Sequence, residues 1–230
     1  MPNLIAAAAF FVLIHLLISG TRLRDALVGR MGPGPYIGMF VVLSWIGIIW
    51  LGWGFATARQ EASNEVFWGL SEGTRHAQLA IQLLAVLLIV PGLTTPNPTS
   101  VRQEGALQRP DVVKGMLRIT RHPFLWGMAV WAAGHLLVNG DIASLILFGS
   151  LLALALFGTA SIDAKRRRAL GATYDAFVAQ TSNVPFLAIA QGRQRLSLGE
   201  IGWWRIGLAV AIWAIVAWAH PYFTGVSALP

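Results

Sequence analysis

The sequence predicts an all-α, polytopic integral membrane bundle of about six transmembrane helices, with a cytoplasmic amphipathic helix before the last. Three observations predict it. The 230 residues are 56% hydrophobic and only 12% charged, far from the balance of a soluble domain. The apolar residues gather in long runs rather than alternating with polar ones. The polar intervals are short, and the longest, Asp163 to Gly202, is too short and too basic to bury a core of its own. Residues 1–230 therefore read as one transmembrane domain.

The first run, Leu4 to Ile18, lacks the basic leading region and small-residue cleavage site of a signal peptide, and reads as a retained helix. On it His15, Ser19 and Arg22 follow at i, i+4 and i+7, a polar stripe directed into the bundle. The second run, Tyr36 to Phe55, carries no charge. The third, Ala77 to Leu93, places Gln78 and Gln82 in register with Arg75, a spacing that favours hydrogen bonds between helices. His76 beside them reads as an interfacial residue, and Thr95-Pro-Asn-Pro98 then bars further helix. The fourth run, Phe124 to Val138, is short and is expected to recruit Arg118 to Pro123, with proline in the first turn. The fifth, Ile142 to Ile162, leads into Lys165-Arg-Arg-Arg168, beneath which Leu170, Tyr174 and Phe177 recur at helical spacing. That is the pattern of an amphipathic helix lying on the cytoplasmic membrane surface. The sixth, Trp203 to Ala219, is expected to stop at His220-Pro221.

Lys and Arg number 3, 5 and 6 in the first, third and fifth loops against 2 and 0 in the others. By the positive-inside rule the odd loops face the cytoplasm and both termini lie on the other side. The same asymmetry explains the net charge of +7, so the partner implied is the lipid bilayer, with room for a lipophilic small molecule, and not nucleic acid. The absence of cysteine excludes disulfides, thiolate metal sites and thiol catalysis. Any metal or haem must then bind through His, Met or oxygen. Oligomeric state stays open, because Gly149 and Gly158 serve packing within one bundle as well as between two.

Ionisable groups at membrane depth are costly and mark function. His122 and His135 are 13 residues apart, roughly 20 Å along a helix and on different faces, so they cannot share one metal ion. His135 shares its face with Trp131 and Met128, the wall of an apolar cavity with a nitrogen ligand at its rim. His122 lies with Arg118 and Arg121, a grouping suited to an anionic group or a headgroup. For His15, a ligand and a hydrogen-bonded core histidine are both open readings; for His220, helix termination is the simpler role.

These residues carry a resemblance over nearly the whole chain. His15-Leu-Leu-Ile-Ser-Gly20 with Arg24, Asn97-Pro98, Arg118-Ile-Thr-Arg-His-Pro123, Gly134-His135, Asn139-Gly-Asp141, Thr181-Ser182 with Pro185-Phe186, and His220-Pro221 together resemble the NnrU family of bacterial membrane proteins. The resemblance implies a bacterial inner membrane and the nitrite and nitric oxide metabolism of denitrification. The family is similar in turn to the 15-cis-ζ-carotene isomerases, haem b membrane enzymes that isomerise a central cis double bond. That likeness implies haem b as cofactor with His15 and His135 as its ligands, and imidazole is a sensible axial ligand for haem iron. By the orientation above, however, the two histidines lie towards opposite membrane surfaces.

Arg121-His-Pro123, Gly127, Asp163 and Gly171-Ala-Thr-Tyr174 also resemble the isoprenylcysteine carboxyl methyltransferases. This implies S-adenosylmethionine bound at the cytoplasmic face near Arg121 and His122. Leu125 and Asp163 depart from that pattern, where an aromatic residue and a Glu are usual. Three readings follow: a haem-handling accessory protein of nitrogen-oxide respiration, a haem-dependent cis-trans isomerase of a lipophilic polyene, and a membrane methyltransferase. The scarcity of intramembrane carboxylates is compatible with isomerisation, which needs no acid–base pair.

Overall fold

The structure is a computed structural model that describes residues 1–229. Among them there is no strand beyond one isolated bridge between Val66 and Asp141. Helix α1 (Pro2–Leu13) opens with proline, whose missing N–H costs nothing in a first turn, and passes into a single π-helical turn at Ile14–Ile18. The chain then bends by 77° into α2 (Arg22–Met31). Thr21 starts α2 by accepting a hydrogen bond from the Leu23 amide at 3.2 Å, so Arg22 leaves the polar stripe expected to join it to His15. Next come α3 (Pro33–Ala58) and α4 (Glu72–Thr94), the latter begun by a reciprocal Ser71–Thr74 capping box. A short α5 (Met116–Ile119) precedes α6 (Pro123–Val138). Then follow α7 (Ile142–Leu170), capped by the Asp141 carboxylate, α8 (Ala172–Gln180), α9 (Leu187–Ala190) and α10 (Trp203–Thr224).

Helices α3, α4, α7 and α10 are each long and apolar enough to cross a membrane, and the bent α1–α2 pair makes a fifth candidate. Helix α6 is apolar but only 16 residues long. The fold is therefore a polytopic helical membrane bundle, close to the six crossings expected. The main helices pack in the spatial order α3, α1, α7, α6, α4, α10. Leu4, Ala7 and Ala8 of α1 bury themselves against Leu51 and Ala58 of α3 and Ala143 of α7. The α4–α6 seam is closer still. A Cβ on Gly127 would lie 2.9 Å from the Ala85 carbonyl oxygen, and one on Gly134 2.6 Å from the Gln82 amide nitrogen.

Three local expectations change. Helix α6 does not recruit Arg118 to His122: the residue before a proline is driven out of the helical region, and Thr120 to His122 run extended or irregular instead. Helix α8 occupies its expected place, but Tyr174 and Phe177 are buried against Leu107, Val112, Val113 and Leu117 of the chain's own third loop rather than against lipid. Helix α10 carries Pro221 within its last turn and ends at Gly225, whose positive φ of 76° supplies the left-handed stop that the proline does not.

The molecule has two polar ends. Asn64 accepts from the Ala143 amide at 2.9 Å and Arg75 donates to the Leu229 carbonyl at 2.9 Å, so both termini and the two short turns gather at one end. Of the 17 Lys and Arg residues, all but Arg59 and Arg75 lie towards the other, Arg-rich end.

Candidate functional site

The Arg-rich end holds a buried polar cluster where α6 meets α7. The irregular Thr120–His122 segment is pinned from three directions. The Arg121 amide donates to the Ser182 carbonyl at 2.9 Å, Thr120 Oγ1 donates to the Asn183 carbonyl at 2.5 Å, and Asn97 Nδ2 and Thr99 Oγ1 both donate to the Arg121 carbonyl at 3.0 Å. This backbone aims Arg121 and His122 at Asp163 of α7. Arg121 Nε lies 3.0 Å from each carboxylate oxygen and Nη2 2.5 Å from Oδ2; His122 Nε2 and the Tyr174 hydroxyl each sit 2.7 Å from Oδ1. All four side chains are buried.

One carboxylate thus takes a guanidinium fork, an imidazole and a phenol, which is the hydrogen bonding a buried ion pair needs if it is to offset desolvation. Burial holds the His122 pKa below its ordinary value in spite of the adjacent carboxylate. The imidazole is then neutral and donates through Nε2, which leaves Nδ1 sealed without a partner. Burial and the charge of Asp163 raise the Tyr174 phenol, so it stays a donor at any physiological pH. Arg121 and His122, expected to meet an anionic ligand, are committed to an internal carboxylate. Asp163 is the one carboxylate of α7, a signal available in the sequence; Asn97 and Thr120 fell within the family-like stretches with no role attached to them, and Thr99 carried no signal.

His15 and His135 form two separate aromatic sites within the bundle. His15 sits in the π-helical turn, a distortion that concentrates at functional sites. Its Nδ1 lies 2.8 Å from the Phe11 carbonyl, and Phe11 and Phe40 flank the ring at 4.4 and 5.1 Å between centroids. His135, in the last turn of α6, has Nδ1 2.8 Å from the Trp131 carbonyl. Its ring stacks on Phe148 at 4.7 Å and 18°, with Trp131 at 4.7 Å on another side. A carbonyl only accepts, so both histidines carry the proton on Nδ1 and leave the Nε2 lone pair free. That is how an axial imidazole is oriented. Phe148 comes from another helix, and no spacing in the sequence marks it.

Each histidine therefore fits a haem iron as a single axial ligand. As a pair on one iron they do not fit. Helices α1 and α7 run parallel, with Gly20 against Ser161 at one end and, at the other, Phe148 against Phe55, beside the Gly54 that packs on Leu4. Counted back from the Gly20–Ser161 contact, His15 lies level with about residue 156 of α7, while His135 lies level with Phe148. At the rise of an α-helix that is roughly 12 Å of depth, too much for two ligands facing each other across one iron. His76 and His220 lie at the terminal end, where Nδ1 of His76 bonds the Glu72 carbonyl at 3.0 Å and Nδ1 of His220 the Val226 carbonyl at 2.7 Å.

The chain is 32% identical over 104 residues to the chloroplastic 15-cis-zeta-carotene isomerase of Arabidopsis thaliana, and 30% identical over 104 residues to that of Zea mays. In both cases the match covers 44% of this chain but only 28% of the relative. No solved structure matches it. The family described as NnrU protein matches residues 3–228. With that match spanning almost every residue, the chain belongs to the NnrU protein family.

Proposed function

We infer that this protein is a membrane-embedded cis-trans isomerase of a lipophilic polyene, of the 15-cis-ζ-carotene kind, and that haem b held by His135 is its cofactor. The observation that carries the reading is the similarity to the two chloroplastic isomerases. The site supports it: His135 presents a free Nε2 between Trp131 and Phe148, whose flat faces suit a porphyrin or a conjugated chain. When bound, the haem would supply a redox-active iron beside the polyene. The chain's own part is to orient the imidazole through Trp131, to wall the site with aromatic rings and to keep water out. No proton need move, which agrees with a bundle whose buried carboxylate is saturated. We assign the Arg121–His122–Asp163–Tyr174 cluster the task of locking α6 against α7 and thereby holding His135 in place. The excess of Lys and Arg at one end supports a cytoplasmic placement of that end, in a bacterial inner membrane with both termini outside.

The test is an absorbance spectrum of the purified protein, oxidised and dithionite-reduced, after expression with ample haem. The expected result is a Soret band in the wild type, its loss in His135→Ala and its retention in His15→Ala. A haem-free wild type would remove the cofactor from the reading. Product analysis in cells that accumulate the 15-cis polyene tests the reaction separately, and unchanged isomer ratios would overturn it.

A further inference from the structure

Beside the Arg-rich end of α4 lies an open cleft of about 400 Å³, bounded by Leu93, Thr94 and Thr95 on one side and by the turn carrying Arg102 and Arg109 on the other. The only charged residues in its lining are these two arginines. Neither guanidinium makes a hydrogen bond or an ion pair among the described residues. The neighbouring carboxylates are engaged elsewhere: Glu104 with Arg166, Asp111 with Lys114 at 2.5 Å, and Glu200 with Arg118 at 2.7 Å. A third cation closes the edge, since Arg205 donates to the Thr94 hydroxyl at 3.1 Å and to its carbonyl at 3.2 Å.

Two further observations bear on what the cleft holds. Arg102 sits at a φ of 60°, a left-handed conformation that an arginine adopts only when its surroundings impose it, and such strain gathers at ligand clamps. The cleft also opens at the membrane boundary. Leu93 is 62% exposed at the end of α4, and Trp203 and Trp204, at the start of α10 packed beside it, are 73% and 58% exposed. Exposed tryptophans at helix ends mark the level of the headgroups.

We propose that this cleft is a phosphate site for an anionic phospholipid, with the headgroup phosphate between Arg102 and Arg109 and the acyl chains descending past Leu93. Paired guanidinium groups recognise phosphate oxygens through parallel hydrogen bonds, and basic pockets at helix ends bind anionic headgroups. The site is independent of the haem reading and stands or falls without it.

The experiment is native mass spectrometry and thermal melting of the full chain in detergent, with phosphatidylglycerol, phosphatidylcholine or inorganic phosphate added. The wild type should prefer phosphatidylglycerol over phosphatidylcholine by at least about tenfold, because both carry the phosphate but the choline ammonium of the second is repelled by the same two guanidinium groups. Arg102→Ala with Arg109→Ala should abolish that preference, whereas Arg22→Ala with Arg30→Ala, which removes as much charge from exposed positions of α2, should keep it. Equal loss in both double variants would reduce the effect to general charge and overturn the site. Arg102→Gly relieves the strained backbone, so it should melt no lower than wild type while losing the preference; an unchanged preference would also count against the proposal. Arginine-dependent binding of inorganic phosphate without any of the lipid would overturn the phospholipid as the source of the phosphate.

Discussion

At the residue scale the most constrained atom group is the Asp163 carboxylate. Asp163→Asn leaves the Arg121 guanidinium buried without its counter-charge, and breaking such a pair costs about 3–5 kcal/mol, to be read from denaturation in detergent. Tyr174→Phe removes one hydrogen bond to a charged acceptor and should cost about 2 kcal/mol by the same measurement. A loss in both that is small beside these figures would mean that the cluster is not closed as described. The sequence made part of this legible. An acidic residue at the end of an apolar run and an Arg-His pair before a proline are conspicuous because burying them is expensive. The methyltransferase-like pattern grouped them, but that they bond to each other was not legible, because α6 and α7 could place them together only once Thr120 to His122 had been fixed by Ser182, Asn183 and Asn97.

The elements themselves were read well wherever hydrophobic runs were long, since a spanning helix must satisfy its own backbone and advertises itself by composition. Boundaries failed where proline or a side-chain cap decided them, as at Thr21, Pro123 and Pro221. Partners failed where one side of a contact had no periodicity. Helix α8 shows this best: its apolar face was visible in Leu170, Tyr174 and Phe177, but the loop residues that cover it were not. Phe177→Ala should therefore cost about 3–5 kcal/mol as a core truncation, whereas a lipid-facing phenylalanine would leave thermal stability nearly unchanged. On the α4–α6 seam, Gly127→Val should cost about 1–3 kcal/mol or more, because the Ala85 carbonyl cannot retreat as a side chain would. The melting temperature of that variant is the measurement.

Across the whole molecule, the segment before α10 is tied to α5 by Glu200. Its carboxylate accepts from Arg118 Nε and Nη2 at 2.7 and 3.0 Å and from the Gly115 amide at 2.9 Å. The Arg118 guanidinium, followed by that amide, draws the carboxyl pKa down to about 2 from an ordinary 4.5. A depressed carboxylate stabilises the fold above its unfolded value, and the contribution is lost as pH falls through the folded one. Melting temperature should consequently decline between about pH 4.5 and pH 2, and Glu200→Gln should flatten that part of the profile. The helix order α3, α1, α7, α6, α4, α10 also has a consequence for biogenesis. The first-made pair, α1 and α3, and the later α4 share no substantial interface until α6 and α7 are inserted between them. During synthesis the early helices must wait in the lipid as two fragments that share no helix packing, held together before α7 arrives only through the turn ahead of α4, where the Phe67 amide donates to the Gly140 carbonyl and the Trp68 indole to that of Leu136.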